Sequence, residues 1–222
     1  MSRSPFDPSF EALPHTLPIF PLTGALLLPG GRLPLNIFEP RYLAMVETAM
    51  GERRMIGMVQ PQDGQGDAGE PTVYRTGCAG RIISFSETED GRYLITLAGI
   101  ARFDIARELP QEGAFRRVVS DWQRYRGDLE GEASDGGVDR PGFLAALKRF
   151  LERHEIAADW SAIESMPAHR LVTTIAMACP FAPSEKQALL EAENGAERAK
   201  LLATLIEMAA HGGGETADRA RH

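Results

Sequence analysis

The chain has 222 residues, which is long enough for one large domain or two small ones. Hydrophobic residues make up 43% of it and charged residues 25%, a balance typical of a globular protein that buries a core. The net charge of -7 argues against binding that is driven by electrostatic attraction to nucleic acid or to an anionic membrane.

The two cysteines and the N-terminal residues bear on the cellular compartment. Cys78 and Cys179 lie far apart and outside any CxxC spacing, which excludes a disulfide framework and a zinc knuckle. The N-terminus lacks the basic and apolar regions of a secretion signal. The nearest apolar stretch, 24–28, is far shorter than the roughly 20 residues that cross a bilayer. We therefore expect a cytoplasmic protein with no membrane partner.

The first predicted elements lie in a stretch that is dense in proline and glycine. The prolines at 18 and 21 favour extended backbone at the residues before them, and proline is tolerated on edge strands. We therefore predict edge strands at 17–22 that bend around a small barrel. Glycines at 30–31 supply a turn. Pro40 suits the first position of a helix, which Gly51 ends.

Further strands are predicted as far as Tyr125. The stretch YLITLAGIARFDI, 93–105, alternates apolar and polar residues, and Gly99 indicates either two strands or a bulge. The preceding segment forms the other arm of a hairpin that turns at 89–91. Strands are also predicted at 54–60 and 115–125.

The second half of the chain is predicted to be helical. Asp139 precedes apolar residues at helical spacing and suits the N-cap of a helix. A second apolar face extends from Leu171 to Cys179, and PSEKQALLE forms a short third helix. Asn194 and Glu197 resemble a capping box that opens a last helix. These amphipathic helices predict a bundle.

Segments rich in glycine, proline and acidic residues divide the chain. The predicted organisation is a flexible N-terminus at 1–12, a β-barrel subdomain at 13–125, a linker at 126–140, a helical bundle at 141–210 and a disordered tail at 211–222.

Motifs for catalysis or metal binding do not emerge from the sequence. It has no phosphate-binding GxxxxGK[ST] and no GxSxG nucleophile elbow. His154-Glu155 begins like the zinc motif HExxH, but Ala158 takes the place of the second histidine. Ser184 and Lys186 lie two residues apart on a predicted helix and do not face each other.

The acidic residues Glu87, Glu89 and Asp90 are best interpreted as a solvated turn rather than as paired catalytic carboxylates. We therefore predict a protein that is not an enzyme, with no catalytic residues, no metal site and no cofactor.

A cluster of arginines leaves one alternative open. Arg116, Arg117, Arg124 and Arg126 lie on and just after a predicted strand, where they suit contacts with phosphate. The competing interpretation is that their stems cover apolar surface and protect an edge strand. Because the barrel segment has nearly equal numbers of basic and acidic residues, nucleic acid is the less favoured partner.

The opening stretch, LPIFPLTGALLLPGGRLPLNIFEPRYLAMVETAM, resembles the start of the N-terminal substrate-binding domain of Lon proteases. There LPLFPL, a PG turn and IFEPRY precede a helix. Further matches are RMIGMVQP, GCAGRIISF, YLITLAGIARFDI and the last helices, so the resemblance covers about 13–208. It implies an α+β fold in which a six-stranded, PUA-like pseudo-barrel with one helix precedes a C-terminal helical bundle.

The resemblance also implies a function. Lon proteases continue into an ATPase module and a serine–lysine peptidase domain, and the chain shows neither. It is therefore identified as a stand-alone Lon substrate-binding-domain protein. The implied partners are unfolded or extended polypeptide segments, a protease or its clients. An RNA-binding PUA-like protein and a small-molecule sensor remain alternatives, and the oligomeric state is left open.

The positions that carry the resemblance are expected to be mostly structural. They are Phe20, Pro21, Pro29, Gly30, Glu39, Pro40 and Arg41, together with Phe38 and Tyr42. Glu39 and Arg41 are expected to orient the start of the helix against the barrel. A shallow apolar surface of Phe38, Tyr42, Met45 and Met55 is the candidate peptide site, because methionine adapts to varied partners. The alternative is that these four side chains pack between the helix and the barrel.

Overall fold

The structure is a computed structural model that describes residues 8–65, 71–111, 113–130 and 139–211. The strands are β1 (Thr16–Pro21), β2 (Arg32–Ile37), β3 (Met55–Val59), β4 (Pro61–Gln65), β5 (Pro71–Val73), β6 (Thr76–Glu87), β7 (Tyr93–Glu108) and β8 (Arg117–Asp121). The α-helices are α1 (Pro40–Gly51), α2 (Arg140–Arg153), α3 (Trp160–Ser165), α4 (Ala168–Ala178), α5 (Pro183–Glu191) and α6 (Gly195–His211). Two 3-10 helices span Phe10–Ala12 and Gln123–Leu129. The predicted α+β class is confirmed.

Six of the strands form one mixed sheet in the order β2-β7-β6-β3-β1-β8. The long strand β7 also pairs with β8 through its second half, so the sheet closes on itself from β7 round to β8, and β2 pairs with the first half of β7. All neighbours in this sheet are antiparallel except β1 and β3, which are parallel. The predicted six-stranded barrel with one helix is therefore present, and β4 pairs with β5 in a separate two-stranded ribbon.

The prediction that β1 is an edge strand is wrong. It lies between β3 and β8, but the two partners take different halves of it. Thr16–Pro18 pairs with β8, and Ile19–Pro21 pairs with β3. Each half therefore has one side free of a neighbouring strand, which is the condition under which proline is tolerated in a sheet.

Gly99 lies where a loop crosses β7. The Gly30 N–H donates to the Gly99 carbonyl over 2.9 Å, and the Gly99 N–H donates to the Gly31 carbonyl over 2.9 Å. A Cβ atom at position 99 would lie 2.0 Å from the Leu28 carbonyl oxygen. Of the two predicted outcomes at this glycine, the bulge is the one found, because β7 is continuous and its register against β6 shifts beside Gly99.

The interior of the barrel is apolar. Phe103 and Trp122 lie against each other with ring centroids 5.5 Å apart. The Trp122 indole donates to the Pro14 carbonyl over 3.0 Å. The strand predicted at 115–125 is shorter than expected, since β8 ends at Asp121 and the chain turns into a 3-10 helix at Gln123. The remaining core side chains are Leu13, Leu17, Ile19, Met55, Val59, Ala79, Ala101 and Val118.

The chain divides into two compact units, and their bounds differ from the predicted domains. The first comprises Met1–Glu132 and Thr173–Glu191, and the second comprises Ala133–Val172 and Ala192–His222. The predicted single bundle at 141–210 is therefore split, because the end of α4 and all of α5 cluster with the barrel. Contacts such as that between the Lys186 ammonium and the Gly24 carbonyl, 2.6 Å apart, hold α5 there.

Parts of the predicted flexible segments are ordered. A 3-10 helix occupies 10–12 within the predicted flexible N-terminus, and the segment Gln123–Leu129 overlaps the predicted linker. β4 lies inside a segment, 60–71, whose composition favours a loop. The predictions for 1–7, for 131–138 in the linker and for 212–222 in the tail fall outside the described residues.

The predicted helix starts are confirmed. In the second unit, Asp139 accepts from the Gly142 N–H over 3.3 Å and Asn194 accepts from the Glu197 N–H over 3.0 Å. The sequence analysis missed α3, a short helix that Asp159 caps by accepting from the Ala162 N–H.

Candidate functional site

The structure separates the four predicted peptide-site residues. Tyr42, Met45 and Met55 are buried, with exposed fractions of 7%, 0% and 4%, whereas Phe38 is 64% exposed. Tyr42 packs against Phe20 with ring centroids 4.2 Å apart. The expectation that these four form one accessible surface is therefore wrong for three of them, because the apolar face of α1 turns inward and Met55 on β3 lies in the core. Whether Phe38 contacts a polypeptide stays a prediction.

The arginines that suggested nucleic-acid binding are engaged within the protein. Arg116 forms an ion pair with Glu108, and Arg117 donates to the Thr16 hydroxyl over 3.5 Å. The other two lie over aromatic rings. Arg124 is 5.0 Å from the ring centroid of Tyr125, and Arg126 is 4.5 Å from that of Phe10. This arrangement favours the interpretation that the arginine stems cover apolar surface.

A buried ion pair holds the barrel to the segment that follows it. Arg102 on β7 is 3% exposed, and its guanidinium donates to both carboxylate oxygens of Asp128, over 2.9 and 2.7 Å. It also donates to the Leu190 carbonyl on α5 over 3.1 Å and stacks over Tyr125. Burial alone would lower the pKa of Arg102, but the hydrogen bonds and charge of Asp128 raise it. This network has a structural role, because the Arg102 guanidinium donates its hydrogen bonds to other atoms of the protein.

A second buried polar cluster fixes the loop after β1. The Gln60 side chain accepts from the Gly24 N–H and donates to the Ala25 carbonyl, each over 3.0 Å. Burial lowers the pKa of Lys186, whose ammonium donates to the Gly24 carbonyl. Burial also raises the pKa of the neighbouring Cys179 thiol to about 12, with Lys186 opposing the shift in part. A thiol with so high a pKa is a poor nucleophile at neutral pH.

Exposed apolar side chains lie on the hairpin that β6 and β7 form. Ile83 and Phe85 on β6 are 48% and 42% exposed, and Leu94 on β7 is 46% exposed. Phe85 contacts Tyr93 with ring centroids 4.9 Å apart. Because Phe85 lies opposite Ile95, it shares a face of the hairpin with Tyr93, and Leu94 lies on the other face. We call Ile83, Phe85 and Tyr93 the hairpin surface.

Among the described residues, no strand neighbours one edge of β6 beside the hairpin surface. The pairing with β3 extends from Cys78 to Arg81, and the last backbone bond on that side runs from the Ile82 N–H to the Arg54 carbonyl. Within the described part of the chain, Ile83–Glu87 pairs with β7 alone.

Carboxylates surround the hairpin surface. The Tyr93 hydroxyl donates to Glu47 on α1 over 2.7 Å. That hydrogen bond, partial burial and the charges of Glu47 and Glu87 all raise the pKa of Tyr93. Glu87 ends β6, so an apolar surface is bounded by negative charge at its outer end.

The described residues also bear on metal sites and on membrane spans. They contain no group of three or more histidine, cysteine or carboxylate side chains placed to hold a metal ion. None of the helices described is both long enough and apolar enough to span a membrane.

Comparison with known proteins decides the family. The model of the ATP-dependent protease La (LON) substrate-binding domain matches residues 16–208, which is most of the chain. The chain belongs to the LON substrate-binding domain family. It is 30% identical to Lon protease 2 of Myxococcus xanthus over 206 residues, covering 88% of this chain and 24% of that protein. It is 29% identical to Lon protease of Anaeromyxobacter dehalogenans over 209 residues, which cover 88% of this chain and 23% of that protein. The chain thus spans about a quarter of the length of these relatives.

Solved structures agree on the fold. The Lon N-terminal domain protein from Xanthomonas campestris superposes with a TM-score of 0.59 at 24% identity, covering 85% of this chain and 97% of that one. The N-terminal domain of Mycobacterium avium complex Lon protease superposes with a TM-score of 0.60 at 18% identity, covering 86% of this chain and 97% of that one. The PUA-like LON substrate-binding domain fold predicted from the opening motif is confirmed.

The residues that carry the LON signature lie at the start of α1 and in the preceding turn. Glu39 pairs with Arg41 over 2.9 Å, and Arg41 lies 4.5 Å from the ring centroid of Tyr42. Glu39 makes no side-chain cap at the start of α1, so its contact is with Arg41. The turn at Pro29 and Gly30 is anchored to Gly99 by the hydrogen bonds described above. These contacts agree with a structural role for the signature, which stays a prediction.

The hairpin surface is the feature that the sequence analysis missed. The sequence predicts a hairpin over its segment, SFSETEDGRYLI, and no binding surface there. The only available signal was a phenylalanine between two serines close to a charged turn. The sequence does not say where the pairing of β3 with β6 stops.

Proposed function

We propose that this LON-family chain is a non-enzymatic module that binds unfolded or extended polypeptide segments. It works in the cytoplasm and acts as an adaptor beside a protease or its clients. The observation that carries the proposal is the hairpin surface, which places apolar side chains in solvent within a domain of a substrate-binding family. Apolar residues that cluster on an exposed surface mark interaction sites more often than scattered ones do.

The non-enzymatic part of the proposal has its own support. The match to known families covers the substrate-binding domain. Burial raises the pKa of the Cys179 thiol to about 12, so that it is a poor nucleophile at neutral pH. The Lys186 ammonium is buried and donates to the Gly24 carbonyl, so it is not presented to a substrate.

Polypeptide binding is tested by fluorescence anisotropy. A labelled, reduced and carboxymethylated polypeptide, which cannot refold, is titrated with the purified protein in the presence and absence of single-stranded RNA. We expect saturable binding that RNA does not displace. A flat titration at protein concentrations up to the highest soluble one would contradict the proposal.

The adaptor role needs a second measurement. The purified protein is added to a Lon protease that is degrading the same labelled polypeptide, and the release of fluorescent fragments is followed. We expect a change in the initial rate that saturates with added protein. An unchanged rate across the binding range contradicts the adaptor role and leaves polypeptide binding standing.

The structure offers less support to the two alternative functions. The arginines that favoured RNA are paired or stacked within the protein. For a small-molecule sensor, a shallow depression of the second unit is lined by Asp139, Phe143, Lys200 and Glu207. Retention on RNA with a steep salt dependence would favour the first alternative, and a ligand-induced rise in melting temperature would favour the second.

A further inference from the structure

We propose that the free edge of β6, Ile83–Glu87, receives an extended polypeptide as an added strand, and that the preferred segment carries an apolar and a basic side chain two residues apart, on one face. The inference rests on the proposed function, because it names the site and the chemical class of the bound polypeptide. Three features carry it: the direction of the backbone groups, the exposed side chains and the charges around them.

The backbone groups of β6 can be assigned to its two sides. The Thr88 N–H donates to the Arg92 carbonyl at the turn, over 2.9 Å, so Thr88 and Arg92 form a hydrogen-bonded pair. Such pairs alternate along an antiparallel ladder, and the register places Ser86 opposite Leu94 and Phe85 opposite Ile95. The N–H and C=O groups of Ser86 therefore point towards β7, and those of Phe85 and Glu87 point to the free edge.

From Ser84 to Glu87, beyond the register shift at Ile82, this edge has no proline to prevent strand pairing. β2, the strand at one end of the sheet, contains Pro34, which cannot donate a hydrogen bond to an added strand. β6 carries no proline, and its last five residues, 83–87, are all exposed. An unprotected edge with apolar side chains is a template for a further strand, and several peptide-binding domains use edges in this way.

The side chains beside the edge specify what the added strand carries. Phe85, which is exposed, and the half-buried Tyr93 form an aromatic pair, against which side chains on the same face of an added strand would pack. The side chains of Glu87 and Glu47 lie near the Tyr93 hydroxyl and leave this end of the edge negative. Arg92 does not neutralise them, since it pairs with Asp90 over 2.8 Å. Because Phe85 and Glu87 lie two residues apart on one face of β6, an apolar residue opposite Phe85 and a basic residue two positions along, opposite Glu87, are favoured.

The probe, a fluorescein-labelled valine–lysine peptide, is an octapeptide with threonine at every odd position and valine and lysine in turn at the even positions, so that valine and lysine share one face. A peptide with glutamate in place of lysine controls for charge, and one that is N-methylated at every second residue on its pairing edge controls for backbone hydrogen bonding. We expect saturable binding of the first peptide and at least about tenfold weaker binding of the other two, which corresponds to about 1.4 kcal/mol. Equal binding of all three peptides would overturn the proposal.

Matched variants locate the site on the protein. Phe85→Ala and Leu94→Ala remove apolar side chains of similar exposure from opposite faces of the same hairpin. We expect Phe85→Ala to weaken binding of the valine–lysine peptide about tenfold and Leu94→Ala to change it less than about twofold. The reverse order, or equal effects, would place the peptide elsewhere.

A second pair of variants separates charge from backbone pairing. Glu87→Gln removes the charge and keeps the N–H, and Glu87→Pro removes both. We expect about threefold weaker binding for Glu87→Gln and a further loss of about tenfold for Glu87→Pro, which lacks the donor at the free edge. Circular dichroism and the melting temperature check that each variant is folded. If Glu87→Pro is not folded, Glu87→Gln still tests the charge and the N-methylated peptide still tests backbone pairing.

The outcomes distinguish a failure of the proposed binding site from a failure of the proposed function. If the variants bind the unfolded polypeptide and the valine–lysine peptide as the parent does, strand addition at β6 is wrong and polypeptide binding stands. If the parent binds neither probe, both proposals fail. If sedimentation shows dimers that Phe85→Ala dissociates, a second copy of this chain occupies the edge and the peptide proposal is overturned.

Discussion

The two ends of the β6–β7 hairpin have the same backbone conformation and opposite surroundings. At the inner end, Cys78–Arg81 pairs with β3 on one side and with β7 on the other, and Phe103 is completely buried. At the outer end, Ile83–Glu87 pairs with β7 alone within the described part of the chain and leaves Phe85 in solvent. Both ends are β-strand, so the neighbours of a strand help to decide whether its apolar side chains stabilise the fold or remain available for binding.

The largest expected difference between the two ends is at their glycines. Gly99→Ala places a Cβ atom 2.0 Å from a backbone oxygen that cannot move alone, so we expect a loss of at least about 3 kcal/mol in the free energy of unfolding. Gly91→Ala at the outer turn has open space but a φ of 78°, and we expect a loss of about 1 kcal/mol. Chemical denaturation measures both. Losses of equal size would remove the contrast between the two ends.

The next effect concerns the buried ion pair at the inner end. Asp128→Ala leaves the Arg102 charge buried without its carboxylate partner, and we expect a loss of about 3–5 kcal/mol. Lys200→Ala, which breaks an ion pair between side chains that are 67% and 50% exposed, is the control and should cost less than about 1 kcal/mol. Urea denaturation of both variants gives the comparison. A loss below about 1 kcal/mol for Asp128→Ala would show that the pair contributes little.

Thiol labelling compares the two ends without changing the fold. Cys78 lies at the inner end and is 0% exposed, whereas Ser86→Cys would place a thiol at the exposed outer end. A buried thiol reacts only after the structure opens, so we expect Ser86→Cys to react with a disulfide reagent at least about a hundredfold faster than the native cysteines. Similar rates would mean that the inner end opens readily.

The smallest expected effect is at the outer turn and depends on pH. Hydrogen bonds from Arg92 and Thr88 lower the pKa of Asp90 from 3.8 to about 2. Because the folded-state pKa is lowered, the contribution of Asp90 to the turn is complete above about pH 4 and is lost as the pH falls towards 2. NMR titration of the Asp90 carboxyl carbon should show this midpoint, with Arg92→Ala moving it upward. A midpoint near 3.8 in the parent would contradict the pairing.

Local signals predicted much of the fold. Pro40 and Gly51 marked both ends of α1, the sequence PSEKQALLE coincided with α5, and the turn before Tyr93 was placed correctly. The errors arose where distant segments meet. The prolines of β1 indicated an edge, because its division between two partner strands has no local signature. The assignment of α5 to the bundle failed for the same reason. The sequence of an amphipathic helix shows which face is apolar but not which part of the protein that face packs against.

The site was less predictable than the fold. The methionines of α1 suggested an adaptable surface, but Met45 is buried because the same apolar pattern that favours peptide binding also favours packing. Phe85 looked like an ordinary strand residue. Its exposure follows from the point at which β3 stops pairing with β6, and that point depends on the length of another strand.

The attachment of α5 to the barrel has a consequence for folding during synthesis. The Lys186 ammonium and the Gln187 amide reach back to Gly24 and Thr76, across sequence separations of 162 and 111 residues. The ribosome has therefore delivered every strand of the barrel before it makes the helix that satisfies these carbonyls. At about 5–20 residues per second, the interval between Leu129 and Glu191 lasts roughly 3–12 seconds. A nascent chain paused in that interval should expose the barrel groups that α5 later covers, which makes it a substrate for chaperones until residue 191 leaves the tunnel.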